Sequence, residues 1–462
     1  MKVQYVPIAP VEGVSDIPPL TPELHASVLA RHSRSSEGIN AIVDKVDLTN
    51  PQKAVDQIFR HIDYGHKSIA DMAPITLNIE GVSVATAAWI WQNSHCGAGQ
   101  QTSTRYVKTI DKAYGMGEEI KSSKYATEIE VLYNKYLEFY VEATEIWTEA
   151  AKNTNLNIPQ SILSHPKADL KIETIRRNWV LDRARYFLPC SLRTNLGILQ
   201  NSNEWVNICS LLLSEPENQF EDLVKNNIVP VLEQVSPSCT KYISPRYEGT
   251  SLVLEKNSLF GEPLPSTCVR PFRSIDIKKI PNWTYWRYGS YKQRSSKLDP
   301  IDNGYKKCSL TYSASIPFCE YQDLVRHRPG EFFIPGKWAS AFYFAVDQAN
   351  TSRVTEKDRK RLRGLAKAAQ DLAINHINTI DRYKHPSNYY DHQNYFDTLW
   401  GCPMGTHISF TRECTAYQLI YEIELRTGPG SHYNYRNYYT SIFDKFGYQL
   451  GKVFVGEGEV EA

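Results

Sequence analysis

One order of elements occurs twice in this chain, and it limits what the chain can fold into. "APITLNIEGVSVATAAWIWQ" (Ala73–Gln92) alternates as a strand until Gly81 breaks it. A helix then aligns Val84, Ala88 and Trp91. "CSLTYSASIPFCEYQDLVRHR" (Cys308–Arg328) again runs strand, small or proline break, helix. Thr76 of the first copy matches Thr311 of the second, and Pro189 of "RARYFLPC" matches Pro403 of "TLWGCPMG". From each proline the same count reaches the end of a following helix, at Leu212 and Arg426. Self-similarity of this kind reads as two units. A chain of 462 residues also exceeds one ordinary core. The expected units are residues 1–245 and 246–462.

The rest of the chain fills in each unit. Helices are predicted over Lys53–His66, Lys124–Lys152, Ile172–Phe187, Trp205–Leu213 and Phe220–Val235, the last ended by Pro237. Ser236–Asn282 is rich in Pro, Gly and Ser and reads as linker and irregular structure. Asp358–Tyr383, Tyr417–Leu425 and Tyr433–Lys452 read as the helices of the second half. The fold class is α+β: two similar units, each a small, mostly antiparallel sheet with long helices.

The net charge of +1 gives no bulk attraction to nucleic acid or membrane, so an anion site has to be built locally. The 9 Cys include no Cys-x-x-Cys pair, and no stretch of about 18 apolar residues would span a bilayer. The first twenty residues lack the apolar run of a signal peptide. These features point to a cytoplasmic protein with reduced thiols and no metal.

Four constellations carry polar chemistry. "HKSIAD" (His66–Asp71) reads as a ligand-contacting loop or as a helix end whose basic residues complement the dipole. In "GQQTSTRYVK" (Gly99–Lys108), Ser103, Thr104 and Arg105 offer hydroxyls and a fork-shaped cation to a phosphate, or else form a solvated loop. Arg326, His327 and Arg328 are adjacent donors suited to an anion or an electron-rich ring, or to an exposed helix end. The fourth is a late pair of helices: Asn201 and Asn207 belong to the first, and Arg426, His432 and Arg436 end the other. Arg185, set among Ala184, Tyr186, Phe187 and Leu188, reads as partnered. No Gly-x-Gly-x-x-Gly, P-loop or His-Glu-x-x-His is present.

Taken in order, these pieces resemble the flavin-dependent thymidylate synthases, twice over. The family signature Arg-His-Arg-x-x-Ser-x-Asn-Glu-x-Ser-x-Arg-Tyr keeps only its end in the first half, as Ser103, Thr104, Arg105 and Tyr106. Only its start survives in the second half, as Arg326, His327 and Arg328. Ser33 in "ARHSRSS", then His66, Ser68 and Asp71, resemble early flavin-contacting segments. "ARYFLP" resembles the family's Ala-Arg-x-x-Leu-Pro, which makes Arg185 a nucleotide ligand. Asn201 and Asn207 fall where the family has flavin-binding asparagines. Leu425-Arg426 and His432 resemble its late Leu-Arg and following His. Two positions depart from the pattern: Gln101 stands for a Glu, and Asp323 for a Gln one turn before Arg-His-Arg.

The resemblance implies reductive methylation at C5 of a uracil nucleotide, dUMP above all, in a composite site made by both halves. FAD would be the cofactor, with methylenetetrahydrofolate and NADPH as co-substrates. Ser103, Arg105, Arg185, Gln101 and Asp323 would contact substrate, and Arg426 and Arg326 would act in catalysis. Ser33, His66, Ser68, Asp71, Asn201, Asn207, His327, Arg328 and His432 would contact flavin. A homodimer of such chains would mimic the family's tetramer. A non-catalytic paralogue, or an enzyme acting on UMP, dCMP or a specialised nucleotide, is the alternative.

Overall fold

The computed structural model of the chain describes residues 1–8, 17–32, 35–63, 67–95, 97–105, 115–152, 158, 160–245, 273–279, 296–297, 300–301, 305–306, 309–327, 330–333, 354–382, 395–428, 431–446 and 453–455. Two four-stranded sheets organise it, each antiparallel throughout. The first holds β1 (Lys2–Tyr5), β2 (Pro74–Ser83), β3 (Ala98–Gln101) and β4 (Arg193–Asn201) in the order β1-β2-β4-β3. The second holds β5 (Arg273–Lys279), β6 (Ser309–Pro317), β7 (Glu331–Phe333) and β8 (His407–Thr415) in the order β5-β6-β8-β7. Strand n of one sheet thus stands where strand n+4 stands in the other.

In β2 the alternation of the sequence is the alternation of burial: Ile75, Leu77 and Ile79 are fully buried on one face. Gly81 does not end the strand. It forms a bulge, with φ +98° and a register shift between Glu80 and Val82, and pairing continues to Ser83. The helix Val84–Asn93 starts there, its first turn capped by Ser83, whose hydroxyl accepts from the Thr86 amide.

The same hydrogen bonds recur in the second half. The Val84 and Ala85 amides donate to the Leu192 and Cys190 carbonyls. The Phe318 and Cys319 amides donate to the Thr406 and Met404 carbonyls. Each acceptor lies three residues or one residue past its proline, Pro189 or Pro403. Those two prolines pair with each other in an antiparallel bridge. On either side the Cys190 amide donates to the Cys402 carbonyl at 2.9 Å and the Met404 amide to the Leu188 carbonyl at 2.7 Å. Both halves carry a 27-residue helix, Ala126–Lys152 and Glu356–Arg382, and Arg361 Nη2 on one reaches Glu142 on the other at 3.0 Å. Among the described residues the main apolar core runs through both halves without a break, from Ile75 and Trp91 to Phe396 and Ile423. A smaller core under the helices Pro22–His32 and Pro51–Asp63 holds Leu24, Val55 and Phe59.

Three expectations change. The central strands β4 and β8 fall where only turns and helix flanks were read. In β3, Gly99 is required because β4 passes close: a Cβ there would sit 2.0 Å from the Gly197 carbonyl oxygen. The helix read over Phe220–Val235 does end at Val235, but Pro237 also opens a short helix, Pro237–Thr240, and Asp222–Ile228 is a π-helix leading into Val229–Val235. The presumed linker contains β5. No helix among the described residues is long and apolar enough to cross a membrane. The six described cysteines are buried and unbridged.

Candidate functional site

The short helix Phe318–Leu324 is buried along its whole length, and Asp323 is presented at its last turn with Arg326 and His327 just beyond. Against it packs the end of the first-half helix Ala168–Ala184, which tightens into a 3-10 turn at Arg185–Phe187. Asp182 and Arg185 are three residues apart and so share a face. Arg105 follows β3. Arg426 is the last residue of the helix Ala416–Arg426, and His432 precedes the helix Tyr433–Phe446.

These elements bring charges from both halves together. Arg105 grips Asp182 with two bonds, Nε to Oδ1 at 2.7 Å and Nη2 to Oδ2 at 2.8 Å. Its amide donates to the Ser103 hydroxyl at 3.2 Å. Arg185 Nη2 donates across the halves to the Cys319 carbonyl at 2.6 Å and to Asp323 Oδ2 at 3.3 Å. Arg326 Nη2 donates to Asp323 Oδ1. Burial alone would raise the Asp323 carboxyl, but Arg326, Arg185, Arg426 and Arg105 together hold it well below the ordinary carboxylate range. Asp182 is treated likewise: burial opposes, and Arg105, His432 and Arg185 prevail.

The outer wall of the cluster is histidine and tyrosine. Arg426 Nε donates to His327 Nε2 at 2.8 Å, which leaves that imidazole neutral with its proton on Nδ1. Burial first, then the surrounding cations, lowers its pKa to about 4 despite Glu422. The guanidinium carbon of Arg426 stands 5.2 Å from the Tyr435 ring centre. Below, Arg412 pairs with Glu422 through both Nη groups and also donates to the His327 carbonyl at 3.1 Å. His432 Nε2 meets the Asp182 carbonyl at 3.1 Å, and its pKa falls to about 3, chiefly by burial. Glu320, raised by burial, accepts from the Tyr186 hydroxyl at 2.6 Å and the Asn434 amide at 3.1 Å.

So Arg105, Arg185, Asp323, Arg326, His327, Arg426 and His432 gather in one place. Gln101 ends β3 opposite Leu196, on the way to Arg105. The other candidates lie toward the opposite end of the first sheet, where Pro74 pairs with Asn201. There Asn201 caps the helix Ser202–Leu213 by accepting from the Glu204 amide at 2.7 Å. Asp71, exposed like Ser68, accepts from Asn203 at 3.1 Å. Asn207 is half-buried on the same helix. Ser33, His66 and Arg328 lie outside the described residues. Sequence reading missed Asp182, Glu320, Arg412, Glu422 and Tyr435. Asp182 was findable, since a carboxylate one helical turn before Arg185 is the obvious partner for a buried cation.

The pseudo-equivalent place in the molecule has the opposite character. Counting from the shared hydrogen bonds and prolines, Asp323 and Arg326 correspond to Trp89 and Gln92, Asp182 and Arg185 to Phe396 and Leu399, and Arg426 to Leu212. All but the half-buried Gln92 are buried. Trp89 and Phe396 rings lie 5.9 Å apart, and Phe220 joins Phe396 at 4.5 Å. One location is a cluster of arginines; its counterpart is packed with rings. No group of three or more metal-ligating side chains occurs among the described residues.

Fold and site together describe an α+β protein with a buried cluster of arginines and carboxylates drawn from both halves of the chain. Residues 20–238 match the model of the thymidylate synthase complementing protein family, to which that stretch is similar. The UPF0159 protein Ta1429 of Thermoplasma acidophilum is 25% identical over 225 residues, covering 43% of this chain and 45% of the relative. The match thus spans less than half the length of that relative.

Proposed function

We propose that the chain carries out flavin-dependent C5 methylation of a uracil nucleotide such as dUMP, in the cytoplasm, at one composite site. The carrying observation is the convergence of Arg105 and Arg185 from the first half with Arg326 and Arg426 from the second on Asp323. On this reading residues 1–245 and 246–462 are duplicated units, and a homodimer of the chain stands for a four-unit assembly. The shared strand order and the Pro189–Pro403 bridge support the duplication.

The donor set suits an anionic nucleotide. Arg185 Nε and Arg326 Nε are buried without a hydrogen-bond partner among the described residues, so each has a donor left over. Arg185, Arg105 and the Ser103 hydroxyl would hold the phosphate. Arg426, kept in place by His327 and Tyr435, would lie over the pyrimidine and stabilise negative charge developing on the ring. At the far end of the sheet, both amide atoms of Gln200 are buried without a partner beside Asn201. That leaves polar capacity where FAD would be held by Ser33, His66, Ser68, Asp71, Asn201 and Asn207, with His327, Arg328 and His432 on its nucleotide side. FAD, when bound, supplies the electron transfer that methylation needs, with methylenetetrahydrofolate as carbon donor and NADPH as reductant.

Purified chain given FAD, methylenetetrahydrofolate and NADPH should release tritium from C5-labelled dUMP. Nucleotide binding without tritium release from dUMP, UMP or dCMP would select the non-catalytic paralogue. A colourless preparation that takes up no FAD would remove the flavin from the reading.

A further inference from the structure

We infer that Arg412 and Glu422, an ion pair buried beneath the arginine cluster, are positioning residues that hold Arg426 in place for the bound nucleotide. The inference rests on the nucleotide reading above. It adds to that reading two residues that act on the ligand only through His327, Tyr439 and Tyr435.

A closed ring of contacts joins the pair to Arg426. Arg412 Nη1 and Nη2 donate to the two Glu422 oxygens at 2.5 and 2.6 Å. Arg412 Nη2 also donates to the His327 carbonyl at 3.1 Å, and the His327 ring accepts from Arg426 Nε at 2.8 Å. On the other side, the Tyr439 hydroxyl donates to Glu422 Oε2 at 2.7 Å, so it accepts from the Tyr435 hydroxyl at 3.4 Å. The Tyr435 ring centre lies 5.2 Å from the Arg426 guanidinium carbon. The ring thus leaves Arg412 through His327, reaches Arg426, and returns through Tyr435 and Tyr439 to Glu422. Arg412 and Glu422 are themselves fully buried. A long arginine side chain gives up rotamer freedom when it binds, and one already held gives up less.

The first half builds the same place without charge. Strand pairing sets Arg412 opposite Tyr312 in one sheet and Ile198 opposite Leu77 at the like position of the other. Asn201 and Thr415 cap the next helices alike, each accepting from the amide three residues on, which puts Glu422 where the first half has Ile208. Leu77, Ile198 and Ile208 are fully buried, as are Tyr312, Arg412 and Glu422. An apolar trio therefore fills the space that the second half gives to a phenol, a guanidinium and a carboxylate. A buried ion pair stabilises a fold no better than well-packed apolar groups of similar volume. The half that carries the pair is the half with Arg426 to hold. At the like position the first half has Leu212, which needs no such support.

The test gives the pair the residues of its counterpart, Arg412→Ile with Glu422→Ile, and titrates dUMP calorimetrically into the full chain with and without Arg426→Leu. Circular dichroism melts should show the paired variant folded, with a melting temperature near that of wild type. It should bind dUMP about tenfold more weakly than wild type. Added to Arg426→Leu, the same exchange should weaken dUMP by less than about threefold, because the residue it positions is gone. A merely structural pair gives no loss, or the same loss in both backgrounds, and either result overturns the inference. If the paired variant does not fold, Tyr439→Phe decides, since it opens the ring at one hydroxyl and leaves the pair in place. It should weaken dUMP by about threefold with Arg426 present and have no effect without it. No loss, or an equal loss in both backgrounds, again overturns the inference and leaves the nucleotide reading standing. A wild type that binds no dUMP overturns that reading and this inference with it.

Discussion

Arg185, from the first half of the chain, donates to the Asp323 carboxylate of the second at 3.3 Å, and the same guanidinium holds the Cys319 carbonyl at 2.6 Å. A cation one half supplies is thus fixed by the last turn of a helix the other half supplies. Neither half contains the site alone. The match between residues 20–238 and the thymidylate synthase complementing family therefore covers Arg105, Asp182 and Arg185, while Asp323, Arg326 and Arg426 come from beyond it.

The Arg105–Asp182 pair should be costly to break from one side. Asp182 is fully buried and Arg105 nearly so, and both bonds are short. Asp182→Ala leaves a buried guanidinium without its partner, a loss of about 3–5 kcal/mol. Urea unfolding should show it as a large fall in midpoint at unchanged slope. A fall below about 1 kcal/mol would mean that Arg105 swings out to solvent and was never held by Asp182.

Acid should weaken the fold through His327. Its folded pKa lies near 4, below the ordinary 6.5, so the unfolded chain takes up the proton first. Its contribution is intact above about 6.5 and is lost as pH falls toward 4, by up to about 1.4 kcal/mol per pH unit. The stability of wild type relative to His327→Gln should fall across that window and level off below it. Protonation also removes the acceptor for Arg426 Nε, so dUMP affinity should decline over the same range.

Glu215 titrates in the opposite sense. Burial pushes its carboxyl up to about 8 from an ordinary 4.5. The stability it contributes is full below about 4.5 and is lost as pH rises through 8. Glu215→Gln removes the titration, so the variant should gain on wild type from pH 5 to 8 and be more stable by roughly 1–3 kcal/mol at the upper end. Parallel melting curves across that range would refute it.

The like order of the two sheets was legible because Thr76 with Thr311 and Pro189 with Pro403 give matching anchors, and because the amphipathic helices keep their period. β4 and β8 were hidden for two different reasons. "RTNLGILQN" alternates correctly but carries Asn195, Gly197 and Gln200, which read as turn residues until the partner strand is known. "HISFTRECT" is buried on nearly every residue, including Arg412, whose charge is absorbed by Glu422 ten residues later on the next helix. A local pattern cannot announce a partner that tertiary packing supplies. The arginines of the site were legible as residue types. Their meeting point was not, because Asp323 had no visible role until both halves were assembled around it.

The sharpest consequence of the paired architecture concerns two equivalent positions, Leu212 and Arg426. Each lies in the last turn of the helix that follows a central strand, and each lies the same distance past its proline. Leu212 is buried in the same apolar core as the rings of Trp89, Phe396 and Phe220. Leu212→Arg would bury a guanidinium with no carboxylate to meet it. That should cost more than about 4 kcal/mol and leave little folded protein. Arg426→Leu is the mirror exchange. It gives up the bond to His327 and the stacking on Tyr435, worth on the order of 1–3 kcal/mol together. The chain should still fold, because Tyr435 and Ile423 keep apolar neighbours at that end of the core. It should lose dUMP binding by about tenfold or more, as the loss of a charged contact predicts. Thermal melts and dUMP titrations on the two variants separate the outcomes. Equal stability loss in both would mean that the two places are alike after all, and a retained dUMP affinity in Arg426→Leu would take Arg426 out of the site.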